Sequence, residues 1–265
     1  MRDIAALVVL AIRAARAGVR VHRAGLTRVQ QVDAKSTPTD VVTEVDREAE
    51  QVIVDAILDE RPDDAVLGEE ATSRAGSSGV RWIVDPLDGT TNYLYRYPAY
   101  GVSIGIEIDG AIRAGVVHDS ARDRVYTGIV GAGAACNGAA IRVRDADDLA
   151  TSLIATGFQP VPARRAWQAA VLARVLPRVR DVRRGGSAAI DFCGVASGQL
   201  DGFYEAGLAE WDTAAGTAIV RAAGGVVLVL DRPTSPTPLV VAAGPRLADP
   251  LATLLREAGA LEPSE

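Results

Sequence analysis

Residues 81–93 read RWIVDPLDGTTNY. The run RWIV (Arg81–Val84) has the composition of a short strand, and Gly89-Thr90-Thr91 opens a helix. Between them, Asp85 and Asp88 flank Pro86-Leu87, so two carboxylates share one tight turn. Such a pair repels itself unless something positive sits between its members. Proline fixes φ at Pro86 and removes an N–H, which turns neighbouring carbonyls inward. Asp85, the Leu87 carbonyl and Asp88 then converge on one side of the turn. The first N–H groups of the following helix point to the same place, a natural seat for phosphate. One turn therefore offers cation ligands and an anion seat together.

Working outward toward the N-terminus, the polar, small-residue ATSRAGSSG is a loop, and AVLGEE before it is a strand ending in Glu69 and Glu70. Upstream, Thr43 is placed to cap a helix whose first turns carry Glu44, Asp46 and Glu48, acids favoured at a helix N-terminus. That helix runs through VIVDAIL and stops near Arg61-Pro62. Residues Arg2 to Ala17 have apolar positions at helical spacing, ended by Gly18. Toward the C-terminus, YGVSIGIEI, AIRAGVVH and RVYTGIV are strands of a meander, turned at Asp109-Gly110 and Asp119–Asp123, and Asn137-Gly138 marks another hairpin. The polar DADDLA reads as a connection. After it, strands (SLIATGF, DVRR, LDGFYEA, VVLVL, PLVVAAG) alternate with helices (AWQAAVLARVLP, SAAIDFCGVASG, AEWDTAAGTAIVRAAG, and a last one from about Pro250 to Ala258). The expectation is a layered α+β protein in two halves, residues 1–145 and 146–265, helices packed on sheets.

Composition narrows the function. Of 265 residues, 48% are hydrophobic and 23% charged, ordinary for a globular protein. A formal net charge of −6 argues against general attraction to nucleic acid or acidic membranes. The apolar run IAALVVLAI is too short to span a bilayer, and Asp3 and the interleaved Arg13, Arg16 and Arg20 fit an amphipathic helix better than a signal peptide. A soluble, cytoplasmic protein is expected. Cys136 and Cys193 are the two cysteines, with no Cys-x-x-Cys or Cys/His cluster, so a thiolate zinc site is excluded and both read as structural thiols. His22 and His118 are isolated and read as surface or satisfied core residues. Arg178, Arg180, Arg183 and Arg184 read as a solvated basic face. No Ser-His-Asp arrangement or P-loop spacing occurs.

The acids carry the chemistry. Asp46 lies in a first helical turn, Glu69 and Glu70 end one strand, Asp85 and Asp88 another, and Asp212 opens a helix after Trp211. Taken singly, Asp-Pro and Asp-Gly are turn formers, Glu69-Glu70 is a solvated pair and Asp212 is a cap. Taken together, carboxylates at several element ends are what magnesium uses, with waters and substrate oxygens completing its shell.

These residues resemble the inositol monophosphatase family of magnesium-dependent, lithium-sensitive sugar phosphatases. Three motifs carry the likeness: DPLDGTTNY at Asp85–Tyr93, WDTAAGTAIVRAAGG at Trp211–Gly225, and GEE at Gly68–Glu70. KSTPTDVVTEVD at Lys35–Asp46 and GSAAIDFCGVASGQLDGFYE at Gly186–Glu205 are similar too, so the likeness covers nearly the whole chain. It implies an α-β-α-β-α sandwich and hydrolysis of inositol monophosphates, with two to three Mg2+ ions. By resemblance, Glu69, Asp85 and the Leu87 carbonyl would hold the activating ion, Asp85, Asp88 and Asp212 a second, and Glu70 would help with a third. Glu69, Thr90 and Asp46 would form the catalytic set, Thr90 with Asp46 behind it orienting the attacking water. The amides of Gly89 and Thr90 would hold phosphate, and Asp88, the Ala188 amide and Glu205 would contact substrate hydroxyls. A homodimer acting on a small-molecule phosphate, with no nucleic acid or membrane partner, is implied. Thr-Thr-Asn-Tyr favours the inositol branch. Histidinol phosphate or fructose 1,6-bisphosphate is the alternative substrate, and a protein-binding factor in transcription the alternative role. A short Phe158–Arg165 segment and the lack of an Asp-x-x-Gly turn in Val226–Leu239 depart from the family pattern.

Overall fold

The computed structural model describes residues 3–28, 32–34, 41–70, 72–232 and 237–262. The 35–40 part of KSTPTDVVTEVD lies outside them. In chain order the elements are α1 (Ile4–Gly25), β1 (Val32–Ala34), β2 (Val41–Thr43), α2 (Glu44–Leu58), β3 (Ala65–Gly68), β4 (Ser73–Arg74), β5 (Val80–Asp88) and α3 (Thr90–Leu94). Next come β6 (Gly101–Ile108), β7 (Ala111–Asp119), β8 (Arg124–Ile129), β9 (Gly133–Cys136), β10 (Ala139–Ile141), β11 (Leu153–Thr156) and α4 (Pro162–Val175). The chain continues through β12 (Asp181–Arg183), α5 (Ala188–Ala196), β13 (Gly202–Ala206), α6 (Glu210–Ala222), β14 (Val226–Leu230), β15 (Leu239–Ala243) and α7 (Ala248–Glu257).

Two large sheets follow from this order. The first has eight strands, β10-β9-β8-β7-β6-β5-β3-β4, and contains the expected meander. The second has five, β12-β11-β13-β15-β14. Asp109-Gly110 and Asn137-Gly138 close their hairpins with two consecutive positive φ values, 52° and 79°, and 48° and 80°. Strand alternation sets the layers. On one face of the first sheet, Trp82, Val84, Val102, Ile104, Ile106 and Val116 pack against Leu7, Ala11, Ala14, Ile53 and Ile57 of α1 and α2. On its other face, Val117 and Tyr126 join Phe192 and Val195 of α5, Ala215 and Ile219 of α6, and Phe203 and Ala242 of the second sheet. The far side of the second sheet, with Ile154, Tyr204 and Val241, meets Val171 of α4 and Leu251 and Leu255 of α7. Helices and sheets thus stack as the expected α-β-α-β-α layers. Among the described residues no helix is long and apolar enough to cross a membrane.

Three boundaries differ from the sequence reading. Helix α1 does not stop at Gly18 but continues to Gly25. The glycine serves close packing instead, since a Cβ there would lie 2.8 Å from Ile53 Cδ1 and 3.0 Å from Val102 Cγ2. Helix α2 ends at Leu58, short of Arg61-Pro62. Strand β5 is longer than RWIV and runs through the DPLD turn to Asp88. Its ladder with β6 shifts register between the pairs Asp85–Ser103 and Asp88–Gly101, so Pro86-Leu87 form a bulge. A bulge re-aims side chains at a strand end, which is why Asp85 and Asp88 are brought to bear together.

Placement of α6 depends on a stripe of small residues. Gly105, Gly115 and Gly128 pair across β6, β7 and β8. A Cβ on them would lie 2.5 Å from Ala214 Cβ, 2.4 Å from the Ala215 carbonyl oxygen and 2.6 Å from Ile219 Cα. The helix therefore sits directly on the sheet backbone. Its first turn is tied down by Arg81, which bonds Glu107 on β6 (2.8 Å) and Glu210 on α6 (2.7 Å).

Candidate active site

Asp85 lies on the α6 side of the first sheet, because Trp82 and Val84 face α1 and α2. Neighbouring Ser103 donates to the Trp211 carbonyl at 3.3 Å, so the DPLD bulge faces the start of α6. Asp212 occupies the first turn of that helix and accepts the Ala209 N–H at 2.7 Å. It is thus a third-position acid, where a cap was the bland expectation. These elements border a cavity of about 560 Å³ lined by Glu69, Asp88, Gly89, Thr90, Ala188, Glu205 and Asp212 among others. These seven predicted residues therefore come together. Asp85 lies beneath this wall, buried, with one oxygen accepting the Leu87 N–H at 3.0 Å.

Each group is held by a local device. Gly89 has φ +92°, and a Cβ there would lie 2.8 Å from the Ala99 carbonyl oxygen, so the turn into α3 needs glycine. The Thr90 hydroxyl lies 2.8 Å from Asp46 Oδ1 and 3.1 Å from the Leu87 carbonyl oxygen; its single proton serves one acceptor at a time. Asp46 is fixed by the capping box of α2, accepting the Thr43 N–H at 2.8 Å. Asp88 accepts the Ser187 hydroxyl at 2.7 Å and the Ala189 N–H at 2.6 Å, both at the start of α5. The Ala188 N–H also points at Asp88, so this amide serves the acid turn itself. Glu205 stands near the end of β13, its carboxylate against the Gly157 backbone, where a Cβ would fall 2.0 Å from Oε2.

The electrostatics are those of acids crowded out of water. Burial, then the charges of Glu69, Asp88 and Asp212, push the Asp85 carboxyl far above the usual range. A direct hydrogen bond with Glu69 adds to this. Burial raises Asp88 to about 6 against the lowering pull of Ser187 and Ala189. Glu205 is raised by burial, then by Asp212 and Asp191, and pulled down by Arg184. Two touching carboxyls with two more acids nearby need a proton or a cation between them.

Among the described residues no three His, Cys, Asp or Glu side chains form a ready-made metal cage. Magnesium does not ask for one: it keeps waters and takes a few carboxylates, with substrate oxygens filling its octahedron. The all-oxygen, anionic donor set around Asp85 fits that demand. Glu70 stands apart from the cavity wall, half-buried beside Glu69, its N–H donated to Glu50 at 2.8 Å.

Some contributors escaped the sequence reading. Glu50 is buried and accepts the N–H groups of Glu70 and Thr72, so it shapes the GEE strand end. Its signal was present: Asp46 and Glu50 lie four apart in the buried stripe of α2. Asn92 donates to the carbonyls of Ala99 (2.7 Å) and Gly185 (2.9 Å), joining α3 to the loop before α5. The supposed basic face is divided: Arg178 pairs with Glu257, Arg183 with Asp181, and Arg184 lines the cavity with Arg165. Both histidines are buried and hydrogen-bonded, and both cysteines are free thiols.

Known proteins resemble this chain over most of its length. A family model described as the inositol monophosphatase family matches residues 3–260. The inositol-1-monophosphatase of Mycobacterium leprae is 44% identical over 243 residues, 88% of this chain and 84% of the relative. A protein of Escherichia coli K12 named Nus factor SuhB is 39% identical over 222 residues, 82% of this chain and 83% of the relative. The crystal structure of the extragenic suppressor protein suhB from Bartonella henselae superposes with a TM-score of 0.88 at 33% identity, covering 95% of this chain and 99% of that one.

Proposed function

The chain belongs to the inositol monophosphatase family, and from that premise we propose that it hydrolyses the phosphate monoester of inositol monophosphates or similar polyol phosphates with magnesium. The observation that carries this reading is the contact of Asp85 with Glu69 beneath a cavity also lined by Asp88 and Asp212. Glu69, Asp85, the Leu87 carbonyl, Asp88 and Asp212 would hold the ions, with Glu70 at a weaker third site. When bound, magnesium neutralises the phosphoryl oxygens, lowers the pKa of an attacking water and stabilises the leaving alkoxide.

The chain's own residues do the positioning. Thr90 donates its hydroxyl hydrogen bond to Asp46, which leaves the hydroxyl oxygen's lone pairs to accept from a water and hold it in line with the phosphorus. The amides of Gly89 and Thr90, at the open start of α3, have no intrahelical acceptor and seat the phosphate. Glu205 and Asp88 accept from ring hydroxyls, and the Ala188 amide lies at the same wall. Acceptors at that wall favour a polyol, and the name of the mycobacterial relative agrees. The reading includes, by family likeness, a homodimer in the cytoplasm; light scattering on the purified protein checks the dimer.

The test is phosphate release from inositol, histidinol, fructose and nucleotide phosphates, each with magnesium and with chelator. Magnesium-dependent turnover, highest on inositol monophosphate, is expected; no turnover on any of them overturns the reading. Relatives named Nus factor raise a second role, binding in the transcription machinery. Of the arginines of the basic face, Arg178 and Arg183 pair with Glu257 and Asp181 and Arg184 lines the cavity, so the catalytic reading is the better supported.

A further inference from the structure

The DPLD turn is gripped from behind by α1. His22, fully buried, has both ring nitrogens engaged: Nε2 lies 2.9 Å from the Pro86 carbonyl oxygen and Nδ1 2.8 Å from Ser120 Oγ. A carbonyl only accepts, so Nε2 carries the proton and Nδ1 accepts from the Ser120 hydroxyl. The backbone of the same residue receives the Tyr93 hydroxyl at 2.8 Å, and the Tyr93 and Tyr100 rings lie 5.9 and 6.3 Å from the imidazole. One residue of α1 thus touches both Pro86 and Tyr93, which bracket the proposed ligands Leu87 and Asp88 and the phosphate seat at Gly89-Thr90.

The Pro86 carbonyl is held back toward α1, while the next carbonyl, that of Leu87, meets the Thr90 hydroxyl at 3.1 Å. The ladder with β6 shifts register between Asp85 and Asp88, so this peptide is held by side chains as well. Asp85 accepts the Leu87 N–H, Thr90 meets the Leu87 carbonyl and His22 the Pro86 carbonyl. We propose that His22 is a positioning residue for the metal-binding turn, its Nε2–H setting the orientation of the Leu87 carbonyl and so the affinity for magnesium. Burial keeps the ring neutral, as this donor–acceptor pattern requires. Ser120, itself buried, selects the tautomer and is the second member of the device.

This inference rests on the magnesium reading above, and the experiment separates the two. Magnesium binding is measured by calorimetry and by the concentration that half-activates phosphate release, in the wild type, His22→Leu, His22→Gln and Ser120→Ala. The Gln amide reaches the Nε2 position and can donate to Pro86, whereas Leu fills the space without a donor. His22→Leu is expected to weaken magnesium binding about tenfold in both readouts, the size typical for a group behind a metal ligand. KM for substrate at saturating magnesium should stay near wild type, and His22→Gln should restore most of the affinity. Ser120→Ala should weaken magnesium in the same direction by less, and it carries the test should the Leu variant fail to fold. Unchanged magnesium affinity in His22→Leu, or in Ser120→Ala where Leu is unfolded, overturns the proposal, as does equal impairment of Leu and Gln. A wild type that neither binds nor responds to magnesium overturns the functional reading and this inference with it.

Discussion

Asp85 and His22 sit on opposite sides of one turn, and each makes a prediction that belongs to a single side chain. Asp85 is pressed against Glu69 with more acids nearby, a repulsion that a bound cation would relieve on the proposed reading. Replacing it by Asn removes that repulsion and a ligand together. Asp85→Asn should lower turnover at least about a hundredfold, a barrier increase of about 2.7 kcal/mol, while its melting temperature without magnesium equals or exceeds wild type. Steady-state assays and thermal melts check both halves. His22 is held neutral, its pKa lowered from 6.5 to about 4 by burial, with His118 adding to the effect and the Pro86 carbonyl opposing it. Below pH 6.5 the unfolded chain takes up a proton at this site that the folded chain refuses, so stability is lost as pH falls from 6.5 toward 4. The loss from this residue is roughly 3 kcal/mol once the lower value is passed. Urea denaturation at pH 7 and pH 5 should show a shallower decline in His22→Gln than in wild type. The acids were readable in the sequence because they end strands and helices. The role of His22 was not, because its partners are 64 and 98 residues away and only the packed fold joins them.

At the scale of elements, the decisive contact is α6 on the glycine stripe of β6, β7 and β8. Gly115→Val should be strongly destabilising, since its Cβ would meet the Ala215 backbone, which has no flexible end to move aside. A loss of at least about 2 kcal/mol in urea unfolding is expected, with turnover falling further as Asp212 is displaced from the cavity. Arg81→Gln should be milder: it removes the partly exposed ion pairs with Glu107 and Glu210, and stability should fall by about 1–2 kcal/mol. Elements themselves were largely legible, since turn pairs such as Asn137-Gly138 and periodic apolar runs have local causes. Boundaries were less so where a residue serves packing. Gly18 reads as a stop in sequence, yet it lies inside α1 because Ile53 and Val102 need its missing side chain. Strand β5 was cut short for the opposite reason, as Pro86 breaks the local pattern while the bulge lets the strand continue.

Across the whole molecule, α5 and α6 form the middle layer shared by both sheets, so the cavity draws on strands and helices of each. That layering was legible as alternation of element types; the pairing of the halves across α6 was not, because a stripe of glycines gives no periodic apolar signal. A net charge of −6 and an acid-lined cavity place the molecule in need of cations for any phosphate chemistry. Magnesium binding only to the folded chain should therefore raise its stability, by about 2.7 kcal/mol at a hundred times its dissociation constant. The most direct test of the account follows phosphate release from inositol monophosphate across a magnesium titration, with the melting temperature recorded on the same samples, for wild type and Asp85→Asn. The account predicts that turnover and melting temperature rise together in the wild type, are both reversed by chelator, and stay flat in Asp85→Asn. Turnover that is unchanged by chelator, or an Asp85→Asn protein as active as wild type, would contradict it.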